Sequence, residues 1–103
     1  MKKIEVMSDC IEKEIAEASD YAKCALDMKE TDPAIADTYI KIAENHMANM
    51  GLLHDQVVSV INEYRKTNGE PPQHMMILYN ILHKKHIENA AAVKGMLSLY
   101  REP

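Results

Sequence analysis

Polar side chains that could do chemistry interrupt the apolar stripes of this chain. They are Glu14, His46, Asn49, His86 and Asn89, with His54 and His83 at the edges of the stripes. Carboxylate and imidazole groups that project from facing helices are the ligands with which helical bundles hold Zn, Fe or Mn. A buried polar group is costly unless it is paired or holds a ligand. The set is therefore either a metal site or a hydrogen-bonded network.

Folding the chain at its two turns arranges the candidates in two adjacent levels. Glu14 falls opposite about residue 48, which brings it near His46. His54, His83 and His86 form the second level, and His83-x-x-His86 has a spacing that allows both side chains to bind one metal. The predicted metal ligands are Glu14, His46, His54, His83 and His86, with Glu17 and Glu44 as outer candidates.

A structural interpretation of the same residues competes with the metal site. A polar residue at a core position of a bundle often fixes the register and the oligomeric state of the helices. Glu17 and Glu44 lie beside the stripes, where glutamate is usually solvated. We favour the structural network, which requires no cofactor, and keep a divalent metal (Zn, Fe or Mn) as the alternative.

The elements that must position these residues are three long helices. Apolar residues recur at spacings of three and four over about residues 3–30, 33–67 and 72–101. On the first helix the predicted core stripe is Ile4, Met7, Ile11, Glu14, Ala18, Tyr21, Ala25 and Met28. Asp32-Pro33 is a helix start, and Asn68-Gly69 is a helix stop.

These elements predict an all-α fold, an up-down-up bundle of three long helices in a single domain over residues 1–103. The apolar face of the second helix is wide, as expected for a helix packed between two others. Three such helices leave a groove where a fourth would pack. We therefore expect self-association into a homo-oligomer, with another protein as a further candidate partner.

Composition limits the functions that the chain could have. A net charge of −4 and a pI near 5.7 argue against nucleic acid as a partner. The chain has no glycine-rich phosphate loop, no nucleophile elbow and no long apolar run, so we expect neither an enzyme nor a membrane protein. Cys10 and Cys24 lie roughly 21 Å apart on one helix and cannot bridge there, which together with the missing signal peptide predicts a cytoplasmic location.

Two stretches of the chain resemble the ferritin-like family, particularly small rubrerythrin-like proteins. They are Ile11–Ala22 and Tyr39–His54. The resemblance implies a helix-1 Glu ligand at Glu14 or Glu17 and an E-x-x-H pair on helix 2. In the best register, His46 stands where the family has Glu and Asn49 where it has His, so both positions of that pair depart from the family pattern.

The chain as a whole, including Glu70-Pro71-Pro72 and the segment from His83 to Arg101, looks like small uncharacterised proteins of phages and prophages. The function we expect is that of a non-catalytic helical-bundle module for assembly or interaction. The alternative is a degenerate ferritin-like metal-binding protein that uses the Glu and His residues of its core.

Overall fold

The computed structural model describes residues 2–103, and three α-helices make up nearly all of them. They are α1 (Lys2–Met28), α2 (Pro33–Asn68) and α3 (Gln73–Arg101). Within residues 2–103 there is no β-strand, which confirms the predicted all-α bundle of three helices. The predicted helix ends agree with the observed ones to within two residues. Residue 1 of the predicted domain lies outside the described residues.

Both predicted turns have the expected chemistry. The Ile35 amide donates to Asp32 Oδ1 at 3.2 Å, and Pro33 occupies the first turn of α2, where its missing N–H costs nothing. Gly69 follows α2 with φ at 77°, and its N–H donates to the Arg65 carbonyl. The backbone of Gly69 is in a region that only glycine enters readily.

The core is aliphatic, and it is built around α1. Ile11, Ile15, Val57, Ile61 and Val93 are among its buried members, and methionine side chains fill the space around them. Toward the first turn, buried alanines replace the larger side chains: Ala18, Ala22 and Ala25 of α1, and Ala36 and Ala43 of α2. Small residues let helices approach closely.

The order of packing differs from the prediction. α1 contacts both other helices, whereas α2 and α3 barely meet. The helix between two neighbours is therefore α1, not α2. The result is a rod of 56 × 20 × 18 Å whose α2–α3 side is open. No helix among residues 2–103 is long and apolar enough to cross a membrane.

The rotation of α1 also corrects the predicted stripe. The buried line is Ile4, Ser8, Ile11, Ile15, Ala18, Ala22 and Ala25. Ser8, Ile15 and Ala22 thus take the places predicted for Met7, Glu14 and Tyr21. This rotation buries Ile15 and leaves the Glu14 carboxylate at the edge of the core, where water reaches it.

Candidate functional site

His46 is the centre of the polar cluster between α1 and α2. Its Nδ1 lies 2.5 Å from Glu14 Oε2, and its Nε2 lies 3.2 Å from Glu17 Oε2. The Tyr21 ring stacks on the imidazole, with the centroids 5.7 Å apart and the planes 15° from parallel. Because Glu14, Glu17 and Tyr21 follow each other at spacings of three and four, one face of α1 supplies all three groups.

The cluster joins α1 to α2 through one hydrogen bond, between His46 Nδ1 and Glu14, and one close approach, between His46 Nε2 and Glu17. A carboxylate oxygen therefore lies at each nitrogen of His46. Glu14, Glu17 and His46 are brought together as predicted, in an arrangement that locks α1 to α2.

A second group of rings bridges the open side of the bundle. The His83 ring of α3 stacks between two others: on His54 of α2 with the centroids 5.0 Å apart, and on Tyr79 with the centroids 5.5 Å apart. Burial raises the pKa of the Tyr79 hydroxyl above its ordinary value. The predicted approach of His54 to His83 is present, and it consists of ring stacking. This stack is one of the few links between α2 and α3.

His86 does not take part in that ring stack and lies instead beside Glu12 of α1. Its side chain is buried, and its Nε2 lies 3.7 Å from Glu12 Oε1 of α1 without a hydrogen bond. Burial lowers the pKa of His86 below the ordinary 6.5; Glu12 opposes this shift, while His83 and Lys85 add to it. The position of His86 against α1 therefore favours its neutral form.

The remaining polar candidates lie elsewhere. Glu44 forms an ion pair with Arg101 near the end of α3 and does not reach Glu14 or His46. Asn49 and Asn89 are exposed, which corrects their predicted place in the core. On α3, Ala90 takes the buried position predicted for Asn89. An alanine can be buried without a hydrogen-bond partner, and an asparagine cannot.

Among residues 2–103, no group of three or more His, Cys, Asp or Glu side chains is arranged to hold a metal ion. The five histidine and glutamate ligands predicted from the sequence are divided among the His46 network, the His54–His83 stack and the His86–Glu12 contact. Each of these pairs one helix with another. What the arrangement does chemically is to fix the relative positions of the three helices.

Exposed aliphatic side chains on α3 are a feature that was not predicted from the sequence. Ile77, Leu78, Ile81 and Ile87 are each about half-exposed. Beside Ile87, a cleft of about 260 Å³ is lined by residues of all three helices, including Met50, His54 and His83. The sequence contains an indication of this surface, because Ile77, Leu78, Ile81 and Ile87 are aliphatic residues at helix positions outside the predicted core stripe.

A surface of this kind marks binding of another protein more often than catalysis. We call Ile77, Leu78, Ile81 and Ile87 the α3 apolar surface. Comparison of the chain with protein-family models, with curated proteins and with solved structures returned no match.

Proposed function

We propose that this chain is a non-catalytic helical module that assembles with protein through α3. The observation that carries the proposal is the α3 apolar surface, where Ile77, Leu78, Ile81 and Ile87 are 52%, 47%, 61% and 54% exposed. Burying a large aliphatic side chain is worth about 1.5–3 kcal/mol. Because four half-exposed side chains of this kind lie within three turns of one helix, burying them against a partner would favour association.

The way in which α3 packs supports the same proposal. α3 buries only His86, Ala90 and Val93, which lie between its midpoint and its C-terminal third. Its first half carries apolar residues around most of its circumference and rests on α1 on one side. A helix that is apolar all round is a buried helix in most proteins. Here burial requires a partner.

The alternative function, a degenerate ferritin-like metal-binding protein, has less support. In the His46 network both imidazole nitrogens already face carboxylates, and His54 and His83 stack face to face. Binding a metal would require these contacts to break. The ferritin-like resemblance and a cytoplasmic location stay predictions.

Site-specific photo-crosslinking in cells tests the proposal. A benzophenone-bearing amino acid is placed at position 81, at the centre of the α3 apolar surface, and at position 6 as the control. Val6 is 50% exposed and Ile81 is 61% exposed, so both sites are accessible, but Val6 lies on the far face of α1. We expect irradiation to yield a protein adduct from position 81 and none from position 6.

Mass spectrometry of the adduct then identifies what covers α3. Any specific protein adduct from position 81, whether with another copy of the chain or with a different protein, agrees with an assembly module. If irradiation gives no adduct from position 81, or gives equal labelling from both positions, α3 has no protein partner in the cell and the proposal is wrong.

A further inference from the structure

The exposed face of α3 carries a second stripe with heptad spacing. Its residues are Ile77, Ile81, Lys84, Glu88, Ala91 and Gly95, and all six are exposed. The intervals alternate between four and three, which is the spacing of the a and d positions of a coiled coil. The core stripe of α3, with His86, Ala90 and Val93, lies on the opposite side. α3 therefore has one seam facing α1 and a second seam facing solvent.

When two copies of α3 run antiparallel, the second seam of one copy is complementary in side-chain size and charge to the second seam of the other. With the two-fold axis at the level of residue 86, Ile77 faces the partner's Gly95 and Ile81 faces the partner's Ala91. In the centre, Lys84 faces the partner's Glu88, and the symmetry repeats that pair. Large side chains meet small ones, and opposite charges meet. Such alternation lets helix surfaces interdigitate at close approach.

Features of the isolated chain point to this partner. Among residues 2–103, neither Lys84 nor Glu88 forms an ion pair, which is also true of other exposed charges such as Lys13. A Cβ placed on Gly95 would meet no atom within 4 Å. The space above Gly95 is thus open to a side chain from another molecule, and the two central charges are free to pair.

The total surface of the chain leaves room for an interface of ordinary size. Its accessible surface is 6663 Å², whereas a folded monomer of 11.7 kDa is expected to expose about 5,900 Å². The surplus arises from the elongated shape of the chain, and it is close to the ~800 Å² that each partner buries in a standard interface. One long helix packed along its length against a copy of itself would cover an area of that order.

We propose that the partner of α3 is a second copy of this chain, bound antiparallel in the register that pairs Lys84 with the partner's Glu88. The inference rests on the proposed function and names the occupant of the part of the α3 apolar surface that Ile77 and Ile81 form. The two bundles join through α3 and its copy, and α1 and α2 of each copy lie on the outside.

Charge reversal tests both the partner and the register. Light scattering and sedimentation of the purified chain at high micromolar concentration should give twice 11.7 kDa. Lys84→Glu and Glu88→Lys each place like charges opposite one another, twice per dimer, and should weaken the dimer by about tenfold or more. The double variant Lys84→Glu/Glu88→Lys restores opposite charges and should restore the dimer. Lys13→Glu, an exposed reversal on α1, is the control and should have no effect.

A glycine pair tests the close approach of the helices. Gly95→Leu should abolish the dimer, because the new side chain would collide with the partner's Ile77. Gly51→Leu on α2 is the matched control, since a Cβ there also meets nothing within 4 Å. Far-ultraviolet circular dichroism checks that each variant keeps its helical content.

The results separate this inference from the proposed function. A wild-type monomer, or charge reversals that leave the mass unchanged, overturn the inference, and a double variant that stays monomeric overturns the register. If the chain is monomeric and position 81 crosslinks only to a different protein, the assembly function stands and the second copy is the wrong partner. If position 81 crosslinks to nothing, both proposals fail.

Discussion

The imidazole of His46 shows how a polar residue can be kept at a bundle seam at low cost. Its side chain is 20% exposed and that of Glu14 is 24% exposed, so neither polar group is fully desolvated. Glu14 hydrogen-bonds to one ring nitrogen, a Glu17 carboxylate oxygen lies 3.2 Å from the other, and Tyr21 stacks on one face of the ring. Because each partner has a fixed position on α1, the network specifies one register of α1 against α2, which purely apolar contacts would specify less well.

His86 carries the clearest pH dependence in the chain. Its pKa is lowered in the folded state by burial, so the unfolded chain binds a proton at a higher pH than the folded chain does. Above the ordinary pKa of 6.5 both states are neutral at this residue, and stability is unaffected. As pH falls below 6.5, the unfolded state is protonated first, and the free energy of unfolding decreases until the folded state also binds the proton.

The predicted outcome is a loss of stability between pH 8 and pH 5 that the variant His86→Leu reduces. Leucine keeps the buried volume filled and removes the Nε2 that has no hydrogen bond in the folded chain. Urea unfolding followed by circular dichroism at both pH values provides the measurement. Equal losses for the wild type and His86→Leu would show that other groups cause the acid sensitivity.

At the scale of the elements, two glycines of the same chain should respond in opposite directions to alanine. Gly69 ends α2 with φ at 77° and ψ at −160°, a conformation that costs a residue with a Cβ roughly 1–3 kcal/mol. Gly51 lies inside α2 with open space beside it, so alanine there should stabilise the helix by about 0.5–1 kcal/mol.

Gly69→Ala should therefore lower the urea midpoint, and Gly51→Ala should raise it. Both variants make the same chemical change, the replacement of one glycine α-hydrogen by a methyl group, so each is the control for the other. A Gly69→Ala protein as stable as the wild type would mean that the turn between α2 and α3 relaxes without cost, and that Gly69 does not determine where α2 ends.

The helices and their turns were predictable because local chemistry determines them. Asp32-Pro33 and Asn68-Gly69 act on the adjacent backbone alone, and the turn positions were enough to bring Glu14 level with His46. The rotation of each helix was not predictable in the same way. α1 and α3 carry apolar residues on neighbouring lines, and a turn of one position exchanges Glu14 for Ile15 and Asn89 for Ala90. Which of the two neighbouring faces is buried is determined by the free-energy cost of burying a polar side chain, which is not visible in the apolar spacing alone.

The proportions of the whole molecule follow from its helix lengths. The radius of gyration is 16.5 Å, whereas a compact domain of this length is expected to have about 13 Å. A rod exposes more surface than a sphere, and here α2 and α3 scarcely cover each other. The open side accounts for the exposure of Ile87, which lines the cleft there, whereas Ile77 and Ile81 are exposed because they lie on the side of α3 that faces away from α1.

This unequal packing predicts that the helices differ in hydrogen exchange. α3 buries three residues, against seven for α1, and no side chain caps its first turn. In dilute solution the amides of α3 should therefore exchange before those of α1, through openings that leave the α1–α2 pair intact. At high protein concentration, covering α3 by a second copy should slow its exchange, since binding to the folded state suppresses opening.

Exchange measured by mass spectrometry at low and high concentration tests both parts. The slowing with concentration should be confined to α3 and should disappear in the variant Ile81→Lys, while Val6→Lys should behave like the wild type. Uniform exchange across all three helices in dilute solution would contradict the unequal packing. Slowing that is equal in α1 and α3, or that survives Ile81→Lys, would place the contact between copies outside α3.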